Sequence, residues 1–171
     1  MRLLSALGLV LVLAPGPMFA QLGTNQAVTA TLTGYQEVPA VSSDGIGYFN
    51  GVVRLSSSGA TSLLISLQWS NLSDPGAPTS IDIRFAQEGV NGGQVITLCG
   101  GGNPYGCPTN GKISGVINPG DLRNLPVQNI AFDDFDKFLR ALFAGKLYVQ
   151  IKSTRVPTGE IRGQIKPLAF Q

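Results

Sequence analysis

Beyond residue 26 apolar and polar side chains alternate over short runs, and clusters of Gly, Pro, Ser and Asn interrupt the alternation. A period of two places successive side chains on opposite faces of an extended strand. The clearest runs are 47–55 and 61–69. In the first, Phe49, Gly51, Val53 and Leu55 share one face, and Tyr48, Asn50, Val52 and Arg54 share the other. In the second, Leu63, Ile65, Leu67 and Trp69 face away from Ser62, Leu64, Ser66 and Gln68. Ser56-Ser57-Ser58-Gly59 lies between them, so the pair predicts a hairpin. Further strands are predicted at 27–32, 79–85, 94–98, 112–117, 146–153 and 160–165, the last two joined by a turn at 155–159. Residues 34–41 read as an irregular extended segment, because Pro39 cannot donate to a ladder.

The period changes at 130–144, where Phe132, Phe135, Phe138, Leu139 and Leu142 recur every three or four residues. This predicts a helix packed on the core through that stripe. Asp133, Asp134 and Asp136 stand near its positive end, and Gly145 supplies a stop. Seven or eight short strands with one helix point to an all-β fold, a two-sheet sandwich with Greek-key connections.

Composition narrows the class. The 171 residues are 43% hydrophobic and 13% charged, which suits one folded domain, assigned to 27–168, and not a highly charged disordered chain. Twelve basic and ten acidic residues are scattered without a Lys/Arg block, so nothing is laid out to follow a phosphate backbone. The chain has no His. That removes the usual general base and the commonest metal ligand.

Arg2, the apolar run 3–13 and Met18-Phe19-Ala20 follow the order of a secretory signal peptide, assigned to 1–20, with an uncleaved anchor as the alternative. No later run is long enough to span a bilayer, so a secreted or periplasmic location is expected. Cys99 and Cys107 flank a Gly-rich loop, and in an oxidising compartment they read as a disulfide. Asn71-Leu72-Ser73 is a glycosylation sequon, meaningful only in a host with that machinery.

Four stretches together resemble the CHRD family. They are Leu32-Thr33-Gly34-Tyr35-Gln36-Glu37-Val38-Pro39; 85–99, with Gly89-Val90-Asn91-Gly92-Gly93; Cys107-Pro108 with the 132–144 helix; and 148–164, ending Thr158-Gly159-Glu160-Ile161-Arg162-Gly163-Gln164. The resemblance implies an extracellular, immunoglobulin-like β-sandwich with no established catalytic activity. Family members carry histidines on a middle and on the penultimate strand. Asp82, Arg84 and Lys152 stand at those positions here.

Asp82 and Arg84 share a strand face. If the penultimate strand lies beside them, Lys152 joins that face, and Glu160 or Arg162 approaches from the last strand. An ion-pair network of these five is one expectation, and solvated side chains worth little are the other. Glu37 and Glu160 are expected to make structural hydrogen bonds, with Ca²⁺ binding or acid–base chemistry as lesser alternatives. Tyr35, Tyr48 and Tyr105 are candidate contact residues, or else ordinary packing.

Serine and cysteine hydrolases need a base that is missing here, and Gly100-Gly101-Gly102 lacks the Lys-Ser/Thr of a phosphate loop. The expectation is a non-enzymatic exported module without cofactor or catalytic residue. Its partner would be an extracellular protein or a surface glycan. The alternative is a metal- or carbohydrate-binding envelope protein using Asp44, Asp74 or Glu88 in loops.

Overall fold

A computed structural model describes residues 26–55, 61–102 and 105–168. The expected signal peptide and the 56–59 turn lie outside them. In chain order the elements are β1 (Gln26–Thr33), β2 (Ile46–Leu55), β3 (Thr61–Ser70), β4 (Ser80–Phe85), β5 (Gly93–Gly100), β6 (Lys112–Ile117), α1 (Phe135–Phe143), β7 (Leu147–Lys152), β8 (Ile161–Gln164) and β9 (Lys166–Pro167). The fold is predominantly antiparallel β with one short helix.

The strands form one curled sheet in the order β5-β4-β7-β8-β1-β2-β3-β6, and β9 pairs with β1. β8 and β1 join its two halves at Thr33 with Arg162, and β9 continues the seam, pairing Thr29 with Lys166 and Val28 with Pro167. One apolar cluster draws on both halves, with Val28, Phe49, Leu67 and Trp69 from one and Ile81, Val149 and Ile161 from the other. A sheet folded over one core explains why most of its strands alternate so cleanly.

The β2–β3 hairpin has the register that its pattern requires. Phe49 lies opposite Leu67, Val53 opposite Leu63, and Gly51 opposite Ile65. Gly51 leaves room for its neighbours, since a Cβ there would come within 2.8 Å of Val28 and 3.1 Å of Leu63. Most strand ends fall within one or two residues of expectation; β8 stops at Gln164, where the pattern ran to 165, and an unexpected two-residue β9 follows it to extend the edge of β1.

The helix is shorter than the 130–144 pattern. Asp133 adopts a left-handed conformation (φ 62°), and Asp134 is the N-cap, its carboxylate accepting from the Lys137 amide at 3.2 Å. Asp133 and Asp134 thus precede the first turn, leaving Asp136 inside it. Phe135, Phe138, Ala141 and Leu142 are buried. Phe132, expected in the stripe, is 60% exposed because it lies before the cap.

Candidate functional site

Along β4, β7 and β8 one set of side chains enters the core: Ile81 and Ile83, then Val149 and Ile151, then Ile161. The opposite set is polar, yet Asp82, Gln150, Arg162 and Gln164 are buried too. Two loops account for this second burial. Residues 34–41 and 86–92 touch through Asn91, whose side-chain amide donates to the Val38 carbonyl at 2.8 Å. The second loop reaches β8 directly. Arg162 donates to the Gln87 carbonyl at 3.2 Å, and Gln164 donates to the Ala86 carbonyl at 3.0 Å.

Cross-strand register aligns this layer: Asp82 lies opposite Gln150, Arg84 opposite Tyr148, and Gln150 opposite Arg162. Asp82 accepts from Gln94 and, at 3.3 Å, from the Ser80 hydroxyl. It lies 3.8 Å from the Arg84 guanidinium and 3.9 Å from the Lys152 ammonium. Burial pushes its carboxyl above the usual aspartate value, and Lys152 and Arg84 oppose that shift.

Arg162 stands apart from this trio. Its guanidinium lies 3.5 Å above the centre of the Tyr148 ring, a cation–π stack, and forms no salt bridge among the described residues. Burial lowers its pKa, while Tyr148 and Glu37 favour its charged form. Tyr148 is wholly buried, and its hydroxyl accepts from Arg84 at 3.2 Å and from the Gly92 amide at 3.1 Å.

The two glutamates have separate settings. Glu37 accepts from the Gln150 amide at 2.8 Å through Oε2, while its buried Oε1 has no donor. Burial pushes this carboxyl up, against the pull of Gln150 and Arg162. Glu160 accepts from the Ser43 hydroxyl at 2.7 Å and the Ser73 amide at 2.6 Å. Burial alone would raise its carboxyl, but Ser153, Ser73 and Ser43 outweigh it and hold the group below the usual glutamate value. Glu160 therefore ties two loops to the β7–β8 turn. Arg162 does not neutralise it, because Arg162 lies over Tyr148.

Of the five residues expected to form one network, the structure brings together Asp82, Arg84 and Lys152. Glu160 and Arg162 occupy their own environments. Tyr35, Tyr48 and Tyr105 are 74%, 52% and 76% exposed, so none is a core residue. Cys99 and Cys107 form a disulfide with an S–S distance of 2.07 Å. Among the described residues no three His, Cys, Asp or Glu converge to hold a metal ion, so Asp44, Asp74 and Glu88 do not make a common site. Asp74 accepts from the Gly76 amide, and Glu88 pairs with Lys166 at 3.5 Å.

Sequence reasoning missed Tyr148, Gln150 and Gln164, the neutral members of the layer. The available signal was a polar Gln150 set between Val149 and Ile151 in a strand otherwise fit for burial on both faces.

The sequence pattern of the CHRD domain matches residues 28–165. The chain belongs to the CHRD domain family. No curated protein and no solved structure matches it. The matched span includes every strand of the polar layer in this CHRD domain. The three residues standing where histidines were expected, Asp82, Arg84 and Lys152, are the three that meet. An acid between two cations gives that position a charge-assisted contact without an imidazole.

Proposed function

We propose that this CHRD domain is a non-enzymatic exported module, structural or adhesive, that meets a protein or glycan partner outside the cytoplasm. Its curled sheet is read as an immunoglobulin-like Greek-key variant of the sandwich. Support for that reading comes from three neighbour pairs made by strands distant in sequence, β4 with β7, β8 with β1 and β3 with β6. Family membership and the disulfide favour an oxidising compartment.

One observation carries the non-enzymatic reading. Asp82 and Glu160 are buried and take hydrogen bonds from Ser80, Gln94, Ser43 and Ser73, an arrangement that braces strands and loops. A general acid or base must instead reach a proton on a bound substrate. The exposed aromatics Tyr35, Tyr48 and Tyr105 are then the anchors offered to a partner.

The test is to produce the full chain in a secretion-competent host. The expected product is exported, begins at Gln21, and has thiols that react only after reduction. Recovery of the chain in the cytosol with its first twenty residues intact and two reactive thiols would remove the reading.

A further inference from the structure

An asparagine followed by glycine is prone to spontaneous deamidation, because no side chain shields the glycine amide that attacks it. The chain contains three such pairs, Asn50-Gly51, Asn91-Gly92 and Asn110-Gly111. All three asparagines are exposed, so access to water does not separate them. How the following amide is held does.

Asn50-Gly51 lies within β2, where Gly51 faces Val28 of β1 on one side and Ile65 of β3 on the other. Turning the Gly51 amide towards the Asn50 side chain would break the ladders on both sides. In Asn91-Gly92 both groups are tied. The Asn91 side chain donates to the Val38 carbonyl at 2.8 Å and accepts from Arg162 at 3.4 Å. The Gly92 amide donates to the Tyr148 hydroxyl at 3.1 Å.

Asn110-Gly111 lies in the bend just before β6 and is held differently. The Gly111 carbonyl accepts from the Trp69 amide at 2.8 Å, but the Gly111 amide has no acceptor among the described residues. Asn110 Oδ1 accepts from the Lys112 amide at 3.4 Å, an Asx turn that folds the side chain back along the Gly111 peptide.

We propose that Asn110 is a modification site, at which the folded chain deamidates while Asn50 and Asn91 are protected. The Gly111 amide gives its proton to hydroxide, and its nitrogen bonds to Asn110 Cγ. The bond from Cγ to the side-chain nitrogen breaks. That nitrogen takes a proton from water and leaves as ammonia, which restores the hydroxide. Water then opens the cyclic imide at either carbonyl, giving an aspartyl or an isoaspartyl residue at position 110.

The product lowers the formal charge of +2 by one and sets a carboxylate two residues from Lys112. The isoaspartyl form also lengthens the backbone by one carbon immediately before β6. Asn110 and Gly111 line an open recess of about 440 Å³ with Tyr48, so the new charge appears beside one of the exposed aromatics.

The purified, folded chain is held at mildly alkaline pH, with a urea-unfolded sample alongside, and peptide mapping by mass spectrometry follows all three pairs. In the folded chain Asn110 should convert at least about tenfold faster than Asn50 or Asn91. In urea the three rates should converge, since the holding contacts are gone. The proposal is overturned if Asn50 or Asn91 keeps pace with Asn110 in the folded chain, or if Asn110 converts only after unfolding. It is also overturned if the same ranking persists in urea, because neighbouring sequence and not the fold would then set it. None of these outcomes depends on export or on a partner.

Discussion

Glu37 and Glu160 are both buried glutamates, and their surroundings shift them in opposite directions. For Glu37 the folded state holds the proton more tightly than the unfolded chain does. Its contribution to stability is complete below the ordinary glutamate value and is lost as pH rises through the elevated folded value. Glu37→Gln should therefore gain stability relative to the parent between acid and neutral pH. Glu160 has the reverse sign. Its contribution is present above the ordinary value and disappears as pH falls through the depressed folded value. Glu160→Gln should show its largest deficit at neutral pH and a smaller one in acid. Urea unfolding at both pH values checks the pair, and parallel profiles would contradict it. Asp82→Ala strips Lys152 and Arg84 of their acid and leaves Gln94 with the Thr97 hydroxyl as its acceptor. The expected cost is about 1–3 kcal/mol. A loss below about 0.5 kcal/mol would place the trio among solvated surface pairs.

At the scale of the element, the β7–β8 turn depends on Gly159. Its φ of 143° is one that side-chain-bearing residues rarely adopt, and a Cβ there would lie 2.2 Å from the Gln150 amide nitrogen and 2.6 Å from Glu37 Oε1. Gly159→Ala should thus cost about 2 kcal/mol or more and disturb the Glu37–Gln150 hydrogen bond, readable by urea unfolding. Stability within a few tenths of a kcal/mol of the parent would show that the turn relaxes freely. The turn was legible as 155–159, but its dependence on Gly159 was not, since the obstructing Glu37 lies far away in sequence. The start of α1 shows the same limit. The apolar stripe ran back to Phe132, and only the left-handed Asp133 and the Asp134 cap show why the helix begins later.

For the whole molecule, the Cys99–Cys107 bridge closes a loop with a sequence separation of 8, at the end of β5. Chain-entropy reasoning gives such a loop about 2–3 kcal/mol. Changing both cysteines to Ser should lower the unfolding free energy by about that amount and leave the far-ultraviolet spectrum of the sheet unchanged. A chain that no longer folds would show that the bridge creates the fold. Melting with EDTA or with Ca²⁺ should give the same midpoint, because Asp44, Asp74 and Glu88 do not converge; a clear rise in Ca²⁺ would reveal a cation bound to the folded state.

Local chemistry settled much of this protein before any contact was known. Alternation set which faces of β2 and β3 enter the core, glycine and proline clusters set the turns, and two cysteines close in sequence set the bridge. These are short-range properties, written in neighbouring residues. The polar layer is different. Asp82, Gln150, Arg162 and Gln164 alternate with apolar residues as a solvent-facing set would, and apart from the apolar strand around Gln150 nothing beside them in the chain marks them for burial. The placement of residues 34–41 and 86–92 over that face turned a surface into an interior. Only tertiary structure decides such a covering, because its partners are distant in sequence and burial raises the cost of every unpaired charge.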